Sequence, residues 1–225
     1  LGSYGEAMGE FIWPAGVAVD SHDNVFVTDE WLNRVTVFSP DGQFLRTFGT
    51  SGTGEVQFNR PSGITVDSND DLYIVDTMNH RVQKCSNEGG FISQWGNYGV
   101  LPGEFNSPWG ITTDDAGCVF VADHKNHRIQ KFMATGEFLF QLGRFGKCDN
   151  QFDHPTNVAV DTNGEIYVCD WVNNRVQTYD SDQNYLTTFL GDAQDLSKWQ
   201  KEYVNSSPDV YKARRRVDSL EPEWR

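Results

Sequence analysis

The chain is poor in what would tie it to a membrane, a metal cluster or a disulfide framework. No apolar run reaches 18 residues, so no membrane span is expected. Its four cysteines (Cys85, Cys118, Cys148, Cys169) form no CxxC pair and fall at unrelated places, which reads as four independent thiols. Cys85 is expected to be a small buried hydrophobe. Basic residues are scarce: 18 Lys+Arg stand against 32 Asp+Glu, for a net charge of −14. All of that excess lies in residues 1–191, because residues 192–225 hold seven of each sign. An acidic body argues against general binding to nucleic-acid phosphates or anionic lipid. No nucleophile elbow and no phosphate loop is present. Helical 3.6-residue periodicity is absent from 1–191, which excludes an α-solenoid.

What the sequence has is repetition. Phe11, Phe58, Phe105 and Phe152 each open a copy of one unit, 47 residues apart every time. In register stand Pro14, Pro61, Pro108 and Pro155, then Asp20, Asp67, Asp114 and Asp161. A second aspartate and an arginine five residues later recur as Asp29–Arg34, Asp76–Arg81, Asp123–Arg128 and Asp170–Arg175. The copies close on Gly49, Gly96, Gly143 and, after one inserted residue, Gly191. A fixed period of this length marks a propeller or solenoid.

Within each copy four short strands are expected, in the first over Gly16–Val19, Val25–Thr28, Val35–Phe38 and Phe44–Phe48. Each is rich in Val, Ile, Phe or Tyr and bounded by turn residues such as Asp41-Gly42, Gly89-Gly90 and Asn163-Gly164. Four antiparallel strands make one blade, apolar on both faces and stable only against neighbours. The blades are expected at 11–49, 58–96, 105–143 and 152–191, with 1–10 as the tail and linker of a preceding unit. After Gly191 the pattern breaks. Residues 192–223 read as a helical insertion, with Ser197 and Ser207-Pro208 as helix starts. Trp224 at 224–225 falls where a further copy would open.

The pattern Pro-x-Gly-Val-x-Val-Asp, followed by Asp-x-x-Asn-His-Arg-Val-Gln, resembles the NHL-repeat family. Asn79-His80-Arg81 and Asn126-His127-Arg128 carry its signature; Leu32-Asn33-Arg34 and Asn173-Asn174-Arg175 depart from it. The resemblance covers residues 1–191. It implies an all-β propeller, of which these are four consecutive blades of a ring of six. A closed four-bladed ring is the alternative.

The repeated Asp–Arg pair is expected to pin a loop by a charge-assisted hydrogen bond, since a site seldom needs the same residues four times. His80 and His127 belong to the same motif and are read as structural. Function is expected where the copies differ. The linkers and the loops between second and third strands should share one face of the disc. There, Trp13, Arg60, Ser107 and His154 precede the prolines, and Ala15, Ser62, Trp109 and Thr156 follow them. Trp31, His124 and Trp171 stand at variable loop positions. The residues expected to bind are therefore Trp13, Trp31, Arg60, Trp109, His124, His154 and Trp171, with one or two of the indoles exposed.

These point to non-catalytic recognition of a peptide or partner protein, with no cofactor. The resemblance also implies an enzymatic alternative, an amidating lyase of peptidyl-hydroxyglycine or a lactonase-like hydrolase with a divalent ion in its channel. Of the residues before the prolines, only His154 is a good metal ligand, with His124 placed to assist. RNA binding, known in some NHL proteins, calls for a basic face, and this one is mixed.

Overall fold

A computed structural model describes residues 2–190. The chain divides into two units, Leu1–Phe189 and Leu190–Arg225. The expected helical insertion at 192–223 and the repeat opening at Trp224 lie outside the described residues. The first unit is all β apart from two single 3-10 turns, Thr77–Asn79 and His124–Asn126. No helix among the described residues is long and apolar enough to cross a membrane.

Four antiparallel four-stranded sheets follow one another, each a simple meander in chain order. Their innermost strands are Pro14–Val19, Pro61–Val66, Ile111–Thr113 and Pro155–Val160. The outermost are Phe44–Phe48, Phe91–Trp95, Phe138–Leu142 and Tyr185–Leu190. In the first copy the first strand begins two residues earlier than the pattern suggests, because Pro14 already pairs with Asp29 across a bulge; the second and third each extend by one residue, to Asp29 and Arg34, and the fourth is as expected. The turn after each innermost strand closes on its aspartate. Asp67 Oδ1 accepts the amides of Asn69 and Asp71, and Asp161 Oδ1 those of Asn163 and Glu165.

The core lies between blades. One buried cluster joins the first and second sheets through Phe26, Val35, Phe58 and Ile64. A second joins the next seam through Tyr73, Val82, Phe105 and Val121. The third joins the last through Phe120, Ile129, Phe152 and Val168. Each opening phenylalanine of the later copies is fully buried beneath the preceding blade. Among the described residues no such cluster links the fourth sheet back to the first. Val17 is accordingly 65% exposed, where its equivalents Ile64, Ile111 and Val158 are 3–6% exposed. Buried Cys85 behaves as the small hydrophobe expected, and burial pushes its thiol up to about 12.

The linkers and the second loops share one face, tied by the motif residues. In the second, third and fourth copies the arginine Nε donates to the aspartate Oδ2 at 2.7–2.8 Å. The guanidinium also donates to three linker carbonyls, for example Val100, Leu101 and Glu104 from Arg128. Asn79, Asn126 and Asn173 brace the same carboxylates. Gln83 and Gln130 bridge carboxylate and linker as well.

The first copy breaks the rule. Asp29 and Arg34 do not form the expected pair. Asp29 instead accepts the backbone amides of Ile12, Trp13, Trp31 and Leu32, while Arg34 serves only the carbonyls of Glu6, Ala7 and Glu10. The cause is in the neighbours. Leu32 and Thr36 replace the bracing Asn and Gln, so the turn folds its own amides onto the carboxylate. Arg34 Nε and Thr36 Oγ1 are left buried without a partner.

Candidate functional site

The innermost strands wall a cavity of about 940 Å³, with Trp13, Glu30, Ser62, Trp109, Gly110 and Asn157 among its lining residues. Two indole pairs stand at it. Trp13 meets Trp31 edge-on at 5.1 Å between ring centroids, and Trp109 meets Trp171 edge-on at 6.3 Å. In each pair one ring lines the cavity and the other lies further out. Trp13, Trp31 and Trp171 are 50–58% exposed and Trp109 is half-buried, so three indoles face solvent where one or two were expected.

The polar groups around the first pair are spoken for. Arg60 lies over the Trp13 ring at 5.7 Å and pairs with Glu30 at 2.8 Å. Glu30 is the one ionisable side chain among the described residues lining the cavity. That wall does not fit the channel metal implied by the enzymatic alternative, because it supplies no convergent His, Cys or carboxylate set.

Neither His124 nor His154 lines the cavity. They belong to a chain of rings running outward from Trp109. His124 lies 4.5 Å from Trp109 and 4.8 Å from His154, and His154 lies 4.6 Å from His127. Phe145, a linker residue, closes the row at 4.7 Å from His127. His124 is buried and its Nδ1 bonds the carbonyl of Pro155. Burial, chiefly, lowers its pKa to about 4, so the ring is neutral at pH 7.

A seam bond explains the motif histidines. Residues 33, 80 and 127 each take a left-handed conformation, with φ of 52–56°. Each accepts the amide of the residue 27 positions on: Asn33 Oδ1 from Arg60, His80 Nδ1 from Ser107, His127 Nδ1 from His154. A histidine accepting at Nδ1 carries its proton on Nε2 and cannot be doubly protonated without losing the bond. Burial, with Lys125 adding to it, holds His80 below its ordinary pKa. The neutral ring is the folded state's form, so its contribution is complete above pH ~6.5 and drains away as pH falls below that. His80→Asn keeps the acceptor, as Asn33 does, and removes the titration. The variant should show a shallower fall in Tm between pH 7 and 5 than the parent; identical slopes would assign the acid lability elsewhere.

Sequence reasoning missed three features here. Asn157 stands in the cavity wall where the other copies have Gly16, Gly63 and Gly110. Phe145 packs on a histidine from a linker. Asp153 lies beside two histidines. For Asn157 and Asp153 the column-wise departure from the other copies was the available signal; Phe145 instead keeps the aromatic character of Tyr4 and Tyr98, and Tyr98 packs on His80 in the same way.

Comparison with known proteins agrees with this architecture. The NHL repeat model matches residues 11–38, 58–85, 105–132 and 152–179. Similar solved structures include a streptogramin B lyase (16% identity, TM-score 0.62, 80% of this chain and 55% of that one). A catalytically inactive virginiamycin B lyase from Staphylococcus aureus with quinupristin gives 17% identity, TM-score 0.62, and 80% and 56% coverage. Hydrazine synthase of Kuenenia stuttgartiensis gives 13% identity, TM-score 0.60, and 82% and 52% coverage. The chain thus spans little more than half the length of these structures, and at such identities the likeness is one of fold alone. A search of curated proteins finds no match.

Proposed function

This chain belongs to the NHL-repeat family of β-propellers, and from that premise we propose that its linker-and-loop face binds a peptide or a partner protein. The exposed indole pairs at the cavity carry the reading. Trp13 with Trp31 and Trp109 with Trp171 offer large, stiff, amphipathic surface on a frame that is otherwise repeated. The cavity between them is of a size to take side chains of an extended segment. Glu30 and Arg60 neutralise each other, so affinity rests on apolar contact more than on charge.

The uncovered apolar surfaces support further blades, as in a ring of six. Val17 on the first sheet and Leu190 on the last are both more than half exposed, whereas their equivalents Ile64 and Leu142 are buried against a neighbouring blade. Small-angle scattering from the full-length protein distinguishes a closed disc from an open arc.

Panning a random peptide library against the chain tests the binding face. The recovered peptides should lose at least about tenfold in affinity on Trp31→Ala with Trp171→Ala, as recognition aromatics do. Both side chains are exposed, so the fold should survive. Undiminished affinity in the double variant, or no enrichment over an unrelated propeller, would remove the reading. The lyase neighbours motivate a parallel assay for cleavage of a streptogramin B, the substrate class in their names.

A further inference from the structure

At the seam between the third and fourth blades, three ligating side chains meet. His127, Asp153 and His154 each bring one ligating atom within 4.8 Å of the other two. Asp153 Oδ1 lies 2.7 Å from His154 Nδ1 and 3.6 Å from His127 Nδ1. Donor atoms around a tetrahedral zinc-like ion, bonded at ~2.0–2.1 Å, stand ~3.3 Å from one another. The two Asp153 spacings lie on either side of that value. We propose that His127 Nδ1, His154 Nδ1 and a carboxylate oxygen of Asp153 form a binding site for a first-row divalent ion of the zinc class, set off from the central cavity.

The repeat supplies its own control. The preceding seam has the same histidine, His80, accepting the same amide, but against Asn106 and Ser107. The seam before it has Asn33 against Asn59 and Arg60. The structural bond therefore needs neither Asp153 nor His154. Only at the last described seam do a carboxylate and a second imidazole join the motif histidine.

His127 accepts the His154 amide at Nδ1, so its proton is on Nε2; its one Nδ1 lone pair is engaged in that seam bond, which the ion replaces on binding. His154 donates Nδ1–H to Asp153. Taking up the ion moves that proton to Nε2 through solvent, with no change in ring charge. Among the described residues no Lys or Arg pairs with Asp153, so the carboxylate is free to offset the ion's charge. His124, 4.8 Å from His154 between ring centroids, borders the remaining side. Two imidazoles and one carboxylate favour Zn²⁺ or Co²⁺ over Mg²⁺ or Ca²⁺, which prefer oxygen alone.

The test uses the chain stripped with EDTA, then titrated with Zn²⁺ by calorimetry and with Co²⁺ by visible absorption. One ion per chain should bind, with a cobalt d–d spectrum and a rise in Tm. Asp153→Asn, His154→Ser and His127→Asn should each weaken binding by at least about 30-fold. Each installs the residue type that another copy holds in that slot, so each should fold. His80→Asn should leave binding unchanged. Absence of saturable Zn²⁺ binding would overturn the proposal, as would binding that survives all three substitutions and so belongs to another surface.

Discussion

Arg128→Ala should lose ~3–5 kcal/mol of stability, the usual cost of stripping one partner from a buried ion pair. Its guanidinium donates to Asp123, Gln141 and three linker carbonyls, five bonds at 2.7–2.9 Å. Asp123 is 0% exposed. It keeps the amide of Asn106 and the side chains of Asn126 and Gln130, but those neutral donors do not replace a charge. The linker from Asn97 to Glu104 would lose its anchor at the same stroke. For a unit of this size Tm should fall by ~6–20 °C. Arg34→Ala should cost only ~1–2 kcal/mol. Arg34 gives up carbonyl bonds alone, since Asp29 is already satisfied by four backbone amides. Urea denaturation of the two variants reads the contrast. Equal losses would mean that the Asp–Arg contact adds nothing beyond anchoring a linker.

That contrast also marks how far the sequence could be read. The period of Phe, Pro, Asp and Arg specifies the blades because those residues meet matching neighbours from copy to copy, throughout the last three and for most of the first. Aligning the copies in columns therefore predicts strands, turns and the shared face of linkers and loops. It misleads at Arg34, where the arginine is kept but its supporting Asn and Gln have become Leu32 and Thr36. The column preserved the residue while the row around it had changed. The binding face shows the same limit. Trp13, Trp31, Trp109 and Trp171 are visible as departures from the repeat, yet their pairing is not, because it depends on ring placement across a loop. The histidines show it most clearly. His127 looked like its structural twin His80 within the column. Its distinguishing partners, Asp153 and His154, belong to the next copy and meet it only across a seam 27 residues away. Radial repetition places function between columns, where an alignment of copies does not look.

The same seams set the second large effect, that of Gly110→Ala. Gly110 is not in a left-handed conformation, so alanine there carries no φ penalty. A methyl group would instead stand 2.6 Å from the Cα of Asn157 and from the carbonyl oxygen of Thr156, both backbone atoms of the next blade's innermost strand. Neither can swing away as a flexible side chain would. Gly63 repeats the geometry one seam earlier, with its methyl 2.5 Å from the Trp109 carbonyl that its own amide bonds at 3.0 Å. Glycine thus sets how closely the innermost strands converge. Splaying them should cost ~3 kcal/mol, as overpacking a rigid core does. The relief must come from the seam that carries Trp109 and Trp171, so peptide affinity should fall along with Tm. Gly90→Ala is the control, because its methyl would meet only the hydroxyl of Ser86, at 3.1 Å. Thermal melts that rank the two substitutions as equals would break the link between inner-strand glycines and radial packing. A Gly110→Ala protein that loses stability but binds its peptides undiminished would place the binding surface away from that seam.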